Sequence, residues 1–148
     1  MNRRIMPDIV KDQSICRLPT TASVQDGARQ MAADDVAALV VADDTGGMVG
    51  IVTERDLTRR VLAEGRDAAT TSLGDIMTKD PDTLAPDDSA VEALELMRMR
   101  RYRHLPVVDG GQVVGMVSIR DLYDAVKDEL ERGIRETEAF VFGDRYGA

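Results

Sequence analysis

Gly50-Ile51-Val52-Thr53-Glu54-Arg55-Asp56-Leu57 and Gly115-Met116-Val117-Ser118-Ile119-Arg120-Asp121-Leu122 are two copies of one pattern, 65 residues apart. Each reads glycine, two apolar residues, a hydroxyl residue, two variable positions, aspartate, leucine. The likeness extends outward. Ser23 through Met31 matches Ser89 through Met97 at a shift of 66, and Asp8-Ile9-Val10 matches Asp75-Ile76-Met77 at 67. Between them, Leu39-Val40-Val41 matches Leu105-Pro106-Val107, again at 66. Self-similarity at a fixed period names an architecture before any residue is given a role. Here it predicts two copies of one unit.

Local pattern supplies the elements of that unit. Asp8-Ile9-Val10 and Asp75-Ile76-Met77 each open a repeat as a short helical turn. Ser14-Ile15-Cys16-Arg17-Leu18-Pro19 predicts a short strand stopped by proline. Ser23 caps a helix with Asp26 three residues on, and Val24, Gly27, Ala28 and Met31 share one face of it. The continuous apolar run Ala37 to Val41 has the length of a buried strand. Asp43-Asp44-Thr45-Gly46-Gly47 is a turn into a second strand, Met48 to Val52, which makes a hairpin. Thr53 then starts a helix that runs to about Glu64 and ends at Gly65. The second copy repeats this order: Asp82-Thr83-Leu84 as the short strand, and a helix capped by Ser89 with Val91, Leu94 and Met97 inward. A hairpin of residues 103–108 and 112–117 and a last helix from Ser118 complete it.

A unit of about 60 residues buries only about 60% of its unfolded surface and is marginal alone. The expected fold is therefore α/β (α+β), two β-α-β-β-α repeats packed as one pseudo-twofold module. The expected units are residues 8–66, residues 73–130, and an extension over 131–148. In that extension Leu122, Val126, Leu130 and Ile134 recur every four residues, and Asp128/Arg132 and Glu131/Arg135 are spaced as i,i+4 pairs. Gly133 weakens its middle by up to about 1 kcal/mol relative to alanine. Phe140, Phe142 and Tyr146 are three of the five aromatic residues of the chain. Aromatics are costly to leave in water, so they are expected to dock, on a partner subunit or back on their own module.

Composition narrows the function. The 148 residues carry 19 basic and 27 acidic side chains, a balance that argues against a general nucleic-acid or anionic-membrane surface. No apolar run approaches the roughly 18 residues of a membrane span. The basic start, Met1 to Asp8, is followed by no long apolar stretch and does not read as a secretion signal. One cysteine, Cys16, permits no internal disulfide and fits a reducing compartment, so a cytoplasmic protein is expected. With one histidine and one cysteine, a zinc site of the usual type is not expected. Asp34/Asp35 and Asp43/Asp44 lack the spacing of a calcium loop and read as solvated turns. Gly46-Gly47-Met48-Val49-Gly50 lies inside a hairpin rather than between strand and helix, so it is a turn and not a phosphate loop.

Ser/Thr-x-x-Asp/Glu is the signature of a helix capping box, and it occurs five times, at Ser23/Asp26, Thr53/Asp56, Ser72/Asp75, Ser89/Glu92 and Ser118/Asp121. Capping alone explains the bare pattern. The 53/56 and 118/121 pairs differ in context: each follows Gly-apolar-apolar off a strand end, and Arg55 or Arg120 precedes the aspartate. A hydroxyl there sits beside free helix N–H groups, and a carboxylate one turn in can accept both hydroxyls of a ribose. Arg98, Arg100, Arg101 and Arg103 form the one basic run. It is either a solvated helix face or a polyphosphate contact. His104 is either packed at a sheet edge or in contact with phosphate, and no constellation of catalytic residues is present.

Taken together, the repeated unit, Asp75-Ile76-Met77-Thr78, His104-Leu105-Pro106-Val107-Val108-Asp109 and the stretch Gly115 to Leu122 resemble the tandem cystathionine-β-synthase (CBS) domain family over about residues 8 to 130. The resemblance implies a disc-like, stand-alone Bateman module, often a homodimer, with clefts between the repeats for an adenosyl ligand. AMP, ADP, ATP, NAD and S-adenosylmethionine are the candidates, and no cofactor or metal is required. The family's ribose/phosphate motif falls on Thr53 with Asp56 and on Ser118 with Asp121. Arg55 accompanies the first pair. Thr83, Arg103, His104, Pro106, Val117 and Arg120 are assigned to the second. Val40 stands where the second repeat has Pro106, and Ala37-Ala38 where it has Arg103-His104, so the second cleft is expected to hold phosphate better. The implied role is a non-catalytic sensor acting through shape or an unknown protein partner. The alternative is a ligand-free module for dimerisation or protein interaction.

Overall fold

The computed structural model describes residues 3–11 and 13–146, with side-chain environments through Val141. Two β-α-β-β-α repeats follow one another. The first comprises β1 (Arg17–Pro19), α1 (Val24–Asp34), β2 (Ala38–Ala42), β3 (Met48–Thr53) and α2 (Glu54–Asp56), which widens into π-type turns over Leu57–Leu62. A short α3 (Leu73–Ile76) and β4 (Thr78–Lys79) lead into the second. It contains α4 (Ala90–Arg100), β5 (His104–Asp109), β6 (Gln112–Ser118) and the long α5 (Ile119–Tyr146).

The repeats exchange their leading segments. Leu73 and Ile76 open the second repeat in sequence, yet they pack into the first core with Val24, Met31, Leu39 and Val52. Ile5, ahead of the first repeat, and Val10, at its opening, pack into the second core with Met97, Leu105, Val117 and Leu122. The backbone bonds show the same crossing. Val24 N donates to Thr71 O at 2.8 Å and Leu73 N to Ala22 O at 2.9 Å. At the other crossing Ala90 N donates to Arg3 O and Ile5 N to Asp88 O, both at 2.9 Å. Each core is thus closed by chain from outside its own repeat, which is how two marginal units become one module.

The repeated glycines are required by this crossing. A Cβ on Gly50 would lie 2.6 Å from Met77 Sδ and 2.7 Å from Thr78 O, on the segment that forms β4 against β3. A Cβ on Gly115 would meet Val10 Cγ1 at 3.2 Å. There the covering segment is held by Gln13, whose Oε1 accepts Met116 N–H at 2.8 Å.

The two sheets are unequal. β1 runs parallel to β2, and β2, β3 and β4 are antiparallel neighbours in one four-stranded sheet, whereas β5 and β6 stand as a two-stranded pair. The expected strand at Asp82-Thr83-Leu84 is reduced to one bridge, Leu84 to Val107. Proline is the cause. Val40 donates to Cys16 O at 2.8 Å, but its counterpart Pro106 has no N–H, and Pro81 and Pro86 bracket what remains. β1 itself is shorter than the run Ser14 to Pro19. β4 was not expected.

Two further expectations are corrected. α4 buries Ala90, Ala93 and Met97, while Val91 is exposed, because the cap at Ser89 sets the phase of the helix one residue away from the apolar reading. α5 is one continuous helix that leaves the module after Ala125 and Val126. Leu130, Ile134, Phe140 and Val141 are exposed, so Phe140 does not fold back on its own module. The side chains of Phe142 and Tyr146 lie outside the described residues. The ion pair found along α5 is Lys127–Glu131 at 3.9 Å, in place of the two expected.

Candidate functional site

The five Ser/Thr-x-x-Asp/Glu pairs are not equivalent in three dimensions. Ser23 and Ser89 accept the backbone N–H three residues on, and Ser72 makes no side-chain cap. At Thr53/Asp56 and Ser118/Asp121 the box is reciprocal. Thr53 N donates to Asp56 Oδ2 at 2.9 Å and Asp56 N to Thr53 Oγ1 at 3.3 Å. Ser118 N donates to Asp121 Oδ2 at 3.0 Å and Asp121 N to Ser118 Oγ at 3.1 Å. Capping is therefore real at both motifs, and it fixes each carboxylate at a strand-to-helix corner with its second oxygen turned away from the box. Asp56 Oδ1 faces Arg60 Nε at 3.5 Å.

What lies beside each corner differs. β2 pairs Ala38 with Thr53, and β5 pairs His104 with Ser118. Residues directly opposite in an antiparallel pair share a face at close range. A methyl group is paired with Thr53 and an imidazole with Ser118. A cavity of about 660 Å³ opens next to Thr53, Arg55 and Asp56, and Arg103 and His104 close its far wall from the second repeat. Such a volume suits a small organic ligand. Ala37, Ile51 and Leu105 give it apolar surface; Thr78, Pro81 and Tyr102 complete the lining.

The structure thus regroups the expected residues. Thr53, Arg55, Asp56, Arg103 and His104 meet in one cavity. Ser118, Asp121, Thr83 and Arg120 do not line it, and Pro106 and Val117 are buried in their strands. Arg103 and His104, expected to serve Ser118 and Asp121, line the cavity with Thr53 and Asp56 instead, and Arg120 does not. Arg59, Arg60 and Tyr102 were missed. The i,i+4 spacing of Arg55 and Arg59, one turn after a reciprocal box, was the available signal.

His104 lies between the two motifs. Burial pushes its imidazole below the ordinary value; Asp121 and Glu54 pull the other way, and Arg103 adds to the lowering. Cys16 is buried, and that burial, with Asp34 adding charge and a hydrogen bond, pushes its thiol up to about 11. A thiol held protonated is a poor nucleophile. In the β2–β3 turn Asp43 Oδ1 accepts Thr45 Oγ1–H at 2.6 Å, Thr45 N–H at 2.9 Å and Gly47 N–H at 3.0 Å. Those bonds, the Thr45 hydroxyl first, hold its carboxyl below the usual range and account for the acidic turn structurally. Among the described residues no group of three metal-ligating side chains comes together, and no helix is long and apolar enough to cross a membrane.

Two interlocked β-α-β-β-α repeats with a cleft between them define a regulatory module of the Bateman type. The family model described as CBS domain matches this chain twice, over residues 7–63 and 73–128. The chain belongs to the CBS domain family, as a tandem pair. It is 35% identical over 128 residues to the mitochondrial CBS domain-containing protein CBSX3 of Arabidopsis thaliana, a match covering 84% of this chain and 62% of that protein. It therefore spans less than two thirds of that relative. Among solved structures, a CBS-domain-containing protein from Agrobacterium tumefaciens is similar at a TM-score of 0.74 and 30% identity, covering 80% of this chain and 90% of the other. A CBS domain protein from Pyrobaculum aerophilum, complexed with AMP, is similar at a TM-score of 0.69 and 31% identity, covering 76% and 86%.

Proposed function

We propose that this chain is a sensor that binds an adenine nucleotide or related adenosyl ligand in the cleft between its repeats and passes occupancy on through shape or through a protein partner. The observation that carries this reading is the corner of Thr53 and Asp56, a fixed carboxylate opening on a cavity of about 660 Å³. Asp56 would take the ribose hydroxyls in exchange for Arg60, Thr53 and the start of α2 would face phosphate, and Ile51 and Leu105 would border the base. The likeness to a CBS protein complexed with AMP supports the same class of ligand. AMP, ADP, ATP, NAD and S-adenosylmethionine remain the candidates on this reading, the protein is cytoplasmic, and residues 8–66, 73–130 and 131–148 are its functional units.

A second reading rests on α5. Its exposed Leu130, Ile134, Phe140 and Val141 form an apolar stripe without a partner in the module, which favours a homodimer or a bound protein. On that reading the chain works as an interaction module and no ligand is needed. A thermal-shift series with the five candidates separates the two, because a ligand at a hundredfold its Kd stabilises by about 2.7 kcal/mol. No shift with any of them removes the sensor reading. Light scattering on the full chain and on a form ending at residue 132 tests the dimer: a monomer throughout overturns it.

A further inference from the structure

The cleft is strongly cationic on an acidic protein. Six arginines line it, against the two carboxylates of Glu54 and Asp56, although the chain has only 19 basic residues to 27 acidic ones. Two of the six are engaged. Arg60 faces Asp56 and donates to Ile76 O at 2.9 Å, and Arg100 lies 3.8 Å from Asp82. Arg55, Arg59, Arg101 and Arg103 have no carboxylate within ion-pair distance among the described residues. An exposed arginine by itself is an ordinary solvated side chain. Four converging on one concave surface repel one another, and a cleft lined by one sign of charge concentrates the opposite ion.

Their origin is also informative. Arg55 and Arg59 come from the first repeat and Arg101 and Arg103 from the second, so each repeat contributes two of the four to the same lining. Arg101 holds a left-handed backbone, φ 59°, at the end of α4. Glycine or asparagine is favoured there, and a long side chain in that conformation carries a strain of roughly 1 kcal/mol or more. In this conformation Arg101 lines the cavity. Guanidinium pairs from two repeats match an extended chain of phosphates, each of which can take two parallel N–H donors. A single phosphate can take fewer of these donors than a chain of two or three. A sulfonium cation would be repelled by them.

We propose that this cleft takes one adenosine carrying two or more phosphates per module, its phosphate chain gripped between Arg55/Arg59 and Arg101/Arg103. The inference rests on the adenosyl reading above and narrows it. Calorimetry on the full chain with adenosine, AMP, ADP, ATP, S-adenosylmethionine and inorganic triphosphate tests it. Affinity should rise about tenfold or more from AMP to ATP, with one site per chain, and the gain should shrink at about 300 mM salt. Arg59→Ala and Arg103→Ala should each lower ATP affinity about tenfold while changing adenosine binding by less than about threefold. Arg103→Lys should recover part of that loss. Arg29→Ala, equal in charge but outside the cavity, should change nothing. AMP or S-adenosylmethionine binding as tightly as ATP overturns the inference and leaves the adenosyl reading standing. Triphosphate binding as tightly as ATP overturns the adenosyl reading instead. No binding by any of the six removes both.

Discussion

The two Gly-apolar-apolar-Ser/Thr corners have nearly the same sequence, the same reciprocal box and the same strand-to-helix geometry, but only the first opens on the large cavity. The residues across the hairpin differ too. Ala38 stands opposite Thr53, and His104 stands opposite Ser118. His104 itself lines the cavity at the first corner, together with Arg103, so the second repeat contributes side chains to the site of the first. The lesson is that a motif supplies the corner and its neighbours decide whether anything can enter.

The comparison can be broken most sharply at the crossing segments, which make each core depend on the other repeat. Ile5→Ala and Leu73→Ala, both at fully buried positions, should each destabilise by about 2–5 kcal/mol in urea unfolding. Hydrogen exchange should then show Ile5→Ala loosening α4, β5 and β6, and Leu73→Ala loosening α1, β2 and β3. Losses confined to the mutated residue's own repeat in sequence would contradict the exchange. The two glycines come next. Gly50→Ala meets Met77 and backbone at under 3 Å and should destabilise by about 1–3 kcal/mol. Gly115→Ala meets Val10 Cγ1 at the longer distance of 3.2 Å and should cost less than Gly50→Ala in the same measurement.

A smaller effect separates the two carboxylates. Asp56→Asn should reduce nucleotide affinity about tenfold or more, close to 1.4 kcal/mol, by calorimetry. Asp121→Asn, outside the cavity, should leave affinity within about twofold, and Asp26→Asn likewise. Equal losses at Asp56 and Asp26 would mean that a helix cap has been taken for a site. The smallest effect belongs to His104, which has alanine as its counterpart. Burial lowers its native pKa, so the unfolded chain takes up a proton first, near pH 6.5, as pH falls. The stabilising contribution of the neutral native imidazole is complete above that pH and declines below it, until the native form also protonates. Urea unfolding at pH 7.5 and at pH 5.5 should show a loss on acidification that His104→Asn reduces. An unchanged loss would assign it to other groups.

Much of this was legible in the chain. The period near 66 residues, the capping residues Ser23, Thr53, Ser89 and Ser118, and the hairpin turns carry the β-α-β-β-α order, because caps, turns and apolar periodicity are local properties. The glycine, hydroxyl and aspartate of each corner were legible for the same reason, and so was the basic run beside the cleft. Three things were decided only in the tertiary structure. Which core Leu73 and Ile5 enter depends on a crossing that the repeat pattern cannot encode, since both arrangements have the same sequence. That Pro106 reduces a strand to a bridge depends on which donor its partner needed. That Arg103 lines one cavity with Asp56 depends on how the two repeats pack together. Spacing along a chain fixes what a residue's own turn or strand will be; what stands across the cleft is set by the packing of the whole.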